Sequence, residues 1–232
     1  MKNDLSSPPV QETNSISAYG NQRRNMLKFF GASAAVITIG SACKDKNNNQ
    51  NDGVNLGSGD FGVLNYAYAL EQLEAAFYLR VTSNLTAISG LSAIEAAYLV
   101  DIKDHEVAHR EFFKAALGSN AIPALEVDFS SVNFADRTSV LSTSKAFEDL
   151  GVTAYNGAGK LLVDVNYLAL AGKIVSVEGR HAAIIANMIS PNTFANTTDA
   201  NGLDGARTPA EVLAIAAPFI KTKINASNLP TS

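Results

Sequence analysis

Lys103–Phe113 reads KDHEVAHREFF and Val177–Ile185 reads VEGRHAAII. Each contains Glu-x-x-His, as Glu106 with His109 and Glu178 with His181. The chain has only 3 histidines. With glutamate this sparse, a given histidine meets one three places earlier about 4% of the time, so two of three by chance is on the order of 0.6%. Residues i and i+3 share a helix face, so each pair can reach one metal neighbourhood. The question is whether both stretches are helical and what faces them.

Helical period runs outward from both. Leu99, Ile102, Glu106, His109, Phe113 and Ala116 form one stripe at steps of three and four, and Leu168, Ala171, Val175, Glu178, Ala182, Ile185 and Ile189 form another. Phe61, Leu64, Tyr68, Glu71, Ala75 and Tyr78 make a third. Leu141, Glu148, Tyr155 and Leu162 mark a fourth at sevens. Every stripe carries a glutamate in its middle. A buried carboxylate without a partner costs several kcal/mol, so buried charges are paired or bind metal. Arg80, Lys103, Arg110 and Arg180 flank the stripes rather than fill them.

The heights agree. With a first helix ending near Leu85 and a second beginning near Ser92, Glu71 and Glu106 each lie about 14 residues from their shared turn, level in an antiparallel pair at about 1.5 Å per residue. Glu148 and Glu178 lie about 13 residues from a turn near Leu162 to Val165. Gly118 to Thr138 is long enough to cross the length of a bundle. Glu71 precedes Tyr78, and Glu148 precedes Tyr155, by the same seven-residue step, which hints at internal duplication. Either tyrosine packs in the core, or it hydrogen-bonds a ligand or serves as a redox-active phenol beside the metals. Thr208-Pro209-Ala210-Glu211 is a capping box with proline at the first helical position, opening a short fifth helix limited by Pro218. The turn-rich run from Ser190 to Arg207 is expected to lie over the bundle.

The segments LNYAYALEQLEAAFYL, GVTAYNGAG and VEGRHAAII resemble the bacterial ferritin-like domain family related to desiccation-associated proteins. The resemblance covers roughly Asp60 to Ile189. It implies an all-α, ferritin-like four-helix bundle, with a long crossover between helices 2 and 3 and a short C-terminal fifth helix. It also implies a dinuclear iron or manganese site, and it supplies no substrate. Glu71, Glu106, His109, Glu148, Glu178 and His181 are the expected ligands of two transition-metal ions, a pattern shared with ferritin-like di-metal bundles in general. Carboxylate and imidazole donors suit iron or manganese, with zinc allowed by affinity. The chemistry of such a centre would be ferrous oxidation or dioxygen and peroxide turnover, the work of a di-metal oxidoreductase.

Other readings compete. His105-Glu106-Val107-Ala108-His109 is also the HExxH zinc metallopeptidase signature, but that reading leaves Glu71, Glu148 and the second Glu-x-x-His unexplained. His105 falls off the stripe and reads as a surface residue or one supporting a ligand. A non-enzymatic, stress-protective or structural bundle is the remaining alternative. Glu74, three after Glu71, is either an extra ligand or a solvated face and reads better as the latter; Glu111 reads as surface charge, and GAGK at Lys160 as a turn rather than a phosphate loop.

Composition limits the rest. The 232 residues are 47% hydrophobic and 17% charged, with one cysteine, so neither an internal disulfide nor a four-cysteine zinc site exists. A net charge of -4 argues against nucleic acid as a partner. An oligomer is left open. Near the start, Arg23-Arg24-Asn25-Met26-Leu27-Lys28 resembles a twin-arginine export signal, followed by a 14-residue apolar run, Phe29 to Ala42, too short to span a bilayer. Ser41-Ala42-Cys43 resembles a lipobox, although Gly40 stands where a larger aliphatic residue is usual. Residues 1–43 are therefore expected to be an export signal ending at a lipidated Cys43, residues 44–60 a flexible tether, and residues 61–232 the ferritin-like domain. Cleavage before Cys43 would leave 14 basic and 20 acidic side chains, a net charge of -6. The expected location is the periplasm or cell envelope, with a lipid in the membrane.

Overall fold

The computed structural model describes residues 53–231. The expected export signal, Cys43 and the tether up to Asp52 lie outside the described residues. A short strand β1 (Val54–Asn55) leads into α1 (Gly59–Thr82), α2 (Ala93–Leu117), α3 (Arg137–Ala158) and α4 (Val165–Ile189). A short α5 (Pro209–Ala216) and strand β2 (Ile224–Asn225) close the chain. The result is an all-α bundle, as the four periodic stripes require.

Local chemistry sets the helix ends. Ser92 and Glu95 form a reciprocal capping box at α2, and Asp136 and Asp164 accept from Ser139 N and Asn166 N at the starts of α3 and α4. Thr208 and Glu211 repeat the box at α5, with Pro209 in its first turn. Arg137 joins three elements: its guanidinium pairs with Glu95 at the start of α2 and donates to Met188 O near the end of α4, 2.6 Å away.

α1 and α2 form one antiparallel hairpin, and α3 and α4 the other. The crossover runs from Asn120, whose carbonyl accepts from Asn65 near the start of α1, to Ala135, whose carbonyl accepts from Ser89 beyond the end of α1. It therefore spans the bundle, as a connection between two helices starting at the same end must. Two amides of α1 hold it. Asn65 accepts from Ile122 N at 3.0 Å, and Gln72 accepts from Leu125 N at 2.8 Å.

The crossover and the tail also wrap α1, which is buried around almost its whole circumference from Gly62 to Tyr78. An edge-to-face aromatic cluster fixes them there. Phe77 meets Phe147 at 5.1 Å and Phe129 of the crossover at 5.7 Å, and Phe147 meets Phe219 of the tail at 4.8 Å. The Ser190 to Arg207 loop lies over α3 as expected: Arg207 N donates to Thr153 O, and a Cβ on Gly157 would stand 1.7 Å from Arg207 O.

Three expectations are corrected. Val54 and Asn55 pair in parallel with Ile224 and Asn225, and Leu56 is fully buried, so this part of the expected tether is folded into the domain. Phe61, Leu168 and Ile189 are exposed, because those stripes run past the ends of the packed bundle. The buried line of α4 is Ile174, Glu178, His181 and Ile185, which turns Ala171, Val175 and Ala182 toward its margin. Among the described residues, no helix is long and apolar enough to cross a membrane.

Candidate metal centre

Glu71, Glu106, Glu148 and Glu178 come from four different helices and are all fully buried. His181 is buried and His109 nearly so. Helical tilt explains the convergence: the four glutamates sit at one depth, and each histidine lies one turn further along the face of its own glutamate.

The donors form two groups of four. Glu71, Glu106, His109 and Glu178 make the first, and Glu106, Glu148, Glu178 and His181 the second, with donor atoms in each within 4.8 Å of one another. Glu106 and Glu178 belong to both. His109 Nδ1 lies 3.0 Å from Glu178 Oε1, 3.4 Å from Glu71 Oε2 and 3.7 Å from Glu106 Oε2. His181 Nδ1 lies 2.8 Å from Glu106 Oε1 and 3.3 Å from Glu148 Oε2. Glu106 therefore turns one oxygen to each group.

Tyrosines fix the outer carboxylates reciprocally. Tyr78 of α1 donates to Glu148 Oε1 at 2.5 Å, and Tyr155 of α3 donates to Glu71 Oε1. Side chains lean toward a helix's N-terminus, so a tyrosine two turns on reaches back to the opposite glutamate. Each bond occupies one oxygen and leaves the other facing a histidine. His181 is held on its far side as well, its Nε2 lying 2.9 Å from His105 Nδ1 with the two rings stacked. A hydrogen bond on the outer nitrogen orients an imidazole and selects the tautomer that leaves the inner nitrogen free.

The donor atoms themselves test whether metal fits. Glu71 Oε2, both oxygens of Glu106, Glu148 Oε2, both oxygens of Glu178, His109 Nδ1 and His181 Nδ1 are buried and without a well-formed hydrogen bond. Buried polar atoms are nearly always hydrogen-bonded, so eight without such a bond, several held only by the carboxylate–imidazole contacts above, fit a ligand site. These orphans supply four donors for each of two cations. The residues present fit the group.

Electrostatics without a cation shows the same strain. Burial pushes the Glu178 carboxyl well above the ordinary range, reinforced by Glu106, and burial likewise raises Glu148 and takes Glu71 to about 7. Burial alone would raise Glu106 too, but the two imidazoles beside it outweigh that and hold it at about 2. Burial disfavours the imidazoliums, yet the surrounding carboxylates take His181 up to about 10 and raise His109 further.

Placement also settles other readings of individual residues. His105 belongs to neither four-donor group and meets His181 instead, 2.9 Å from its Nε2. Glu111 is exposed as expected, whereas Glu74 is buried, against the expectation of a solvated face, because its carboxylate turns between the helices, against Gly151 of α3 and near Glu178 of α4.

Four helices, each supplying a central carboxylate, with Glu-x-x-His on two of them, define a helical bundle of the ferritin-like class. The family model described as Ferritin-like domain matches residues 59–191, and the chain belongs to that family. No curated protein matches the chain.

Proposed function

We propose that the protein binds two iron or manganese ions between Glu71, Glu106, His109, Glu148, Glu178 and His181, and uses them in redox chemistry with dioxygen or peroxide. The observation that carries this reading is the set of orphaned donor atoms, divided into two groups that share Glu106 and Glu178. Bound ions would supply one-electron oxidation and reduction. The chain's own residues do the rest: Glu106 and Glu178 span the two positions, Glu71 and Glu148 close the ends, and Tyr155 and Tyr78 keep those end carboxylates from rotating. His109 and His181 present Nδ1 inward. His109, whose side chain is 12% exposed, is the donor nearest solvent and the expected side of entry for a small oxidant.

Export as a lipoprotein through Arg23-Arg24 and Cys43 is part of the proposal. A twin-arginine route moves folded proteins, so metal would be loaded before export. A stress-protective role in the cell envelope is consistent with that placement.

The test is elemental analysis of protein purified without chelator, beside Glu106→Ala. About two iron or manganese ions per chain are expected from the pair of four-donor groups, with loss in the variant at unchanged helicity. Zinc at one per chain, lost on changing His105, would instead establish the peptidase site. No uptake under several loading conditions would leave a structural bundle.

A further inference from the structure

Glu74 is the fifth buried carboxylate of the bundle and the one that the two four-donor groups do not use. It lies one turn beyond Glu71, the step that separates Glu106 from His109 and Glu178 from His181. The offset relating Glu71 to Glu148 and Tyr78 to Tyr155 relates Glu74 to Gly151. Where one half of the repeat carries a carboxylate, the other carries no side chain.

Two carboxylates border the space left at Gly151. A Cβ there would stand 3.2 Å from Glu74 Oε1 and 3.3 Å from Glu178 Oε2, closer than side chains normally tolerate. Glu178 Oε2 and Glu74 Oε2 are both buried and unpartnered, and so is Tyr66 Oη, whose phenol is pushed up by burial and then by the charge of Glu74. Two divalent ions are neutralised by Glu71, Glu106, Glu148 and Glu178. A fifth carboxylate is surplus to that state and matches one with more positive charge.

We infer that Glu74 is a seventh ligand, which enters beside Glu178 through the space left by Gly151 when the centre carries trivalent ions. This rests on the dinuclear reading above. It makes the two metal positions unequal, since Glu74 is on the helix of Glu71 and has no counterpart beside Glu148.

The test compares wild type with Glu74→Gln, which keeps the shape and removes the charge. Mn(II) titration should give two ions per chain in both proteins, with affinities within about threefold, because divalent binding does not call on a donor beyond the four per ion. Spectroelectrochemistry of the iron-loaded proteins should show the variant holding Fe(III) at least about tenfold less tightly relative to Fe(II), a potential higher by about 59 mV or more. If Glu74→Gln fails to fold, Gly151→Ala puts a methyl group against both oxygens without changing charge, and should move the potential the same way. Equal potentials in wild type and variant would overturn the inference. So would three Mn(II) ions in wild type and two in Glu74→Gln, which would give Glu74 a cation of its own. Wild-type protein that takes up no metal would overturn the dinuclear reading beneath it, an outcome told apart because the variant is then equally empty.

Discussion

Protons and metal compete for the same atoms, so metal affinity should climb steeply with pH. The imidazoliums of His109 and His181 are stabilised by the carboxylates around them, and His181 titrates at about 10 against an ordinary 6.5. That pairing stabilises the metal-free fold fully below pH 6.5 and is lost as pH rises through about 10. A cation needs both Nδ1 atoms free of protons. At pH 7 the His181 proton alone lies about three pKa units on the wrong side, an opposing free energy of about 4 kcal/mol. Glu71, at about 7, gives up its proton over the lower part of the same range. Between pH 6.5 and 8.5, one released proton gives an increase in apparent affinity of about 100-fold, and two give about 10,000-fold. Calorimetric titration with Mn(II) in buffers of different ionisation enthalpy measures the affinity and counts the protons together. A pH-independent affinity with no proton release across that range would refute the reasoning, because the imidazoles would then not be the groups that metal displaces.

Three more predictions follow from single contacts. Tyr78→Phe and Tyr155→Phe each leave a buried carboxylate oxygen unpaired, and each should destabilise the metal-free protein by about 1–3 kcal/mol in urea denaturation; unchanged midpoints would mean the phenols are only packed. His105→Ala removes the partner of His181 Nε2 and should weaken metal binding by about 10–100-fold while still allowing two ions per chain; loss of one ion would make His105 a ligand. Gly157→Ala drives a methyl group into the Arg207 carbonyl and should cost at least about 1–3 kcal/mol; wild-type thermal stability would show that the loop does not pack against α3 there.

Much of the bundle was legible because helical period and capping chemistry are local. Glu106, His109, Glu178 and His181 announce themselves by spacing, and Glu71 and Glu148 by their matching depth. Ser92, Thr208 and Pro209 mark helix starts through side-chain bonds made within one turn. The wrapping of α1 was not legible. It depends on Asn65 and Gln72 finding backbone partners about fifty residues away, and on Phe77 meeting Phe129. The strand pair between Val54–Asn55 and Ile224–Asn225 is two residues long, too short to carry a period of its own. Glu74 was misread because its burial also comes from partners far along the chain: Gly151 of α3 leaves room for its carboxylate near Glu178 of α4. The signal that could have found it was already in use, since the step from Glu71 to Glu74 is the step from Glu106 to His109.

The covering of α1 also gives the centre a direction. On the α1 and α3 side, the carboxylates are backed by Tyr78 and Tyr155, and behind Tyr78 stands the aromatic cluster of Phe77, Phe129, Phe134 and Phe147. That wall keeps water from the carboxylates and lowers the local dielectric, which strengthens every interaction between a buried oxygen and a cation. On the α2 and α4 side, His105 is exposed and the His109 side chain is 12% exposed. The expected route for an entering ion or small oxidant is therefore past the histidines, while the tyrosines hold the far carboxylates still. An aromatic residue introduced at Ala108, exposed on α2 next to His109, would test the direction of entry; it should slow metal uptake by stopped flow without changing the final stoichiometry, whereas an unchanged rate would place the entrance elsewhere.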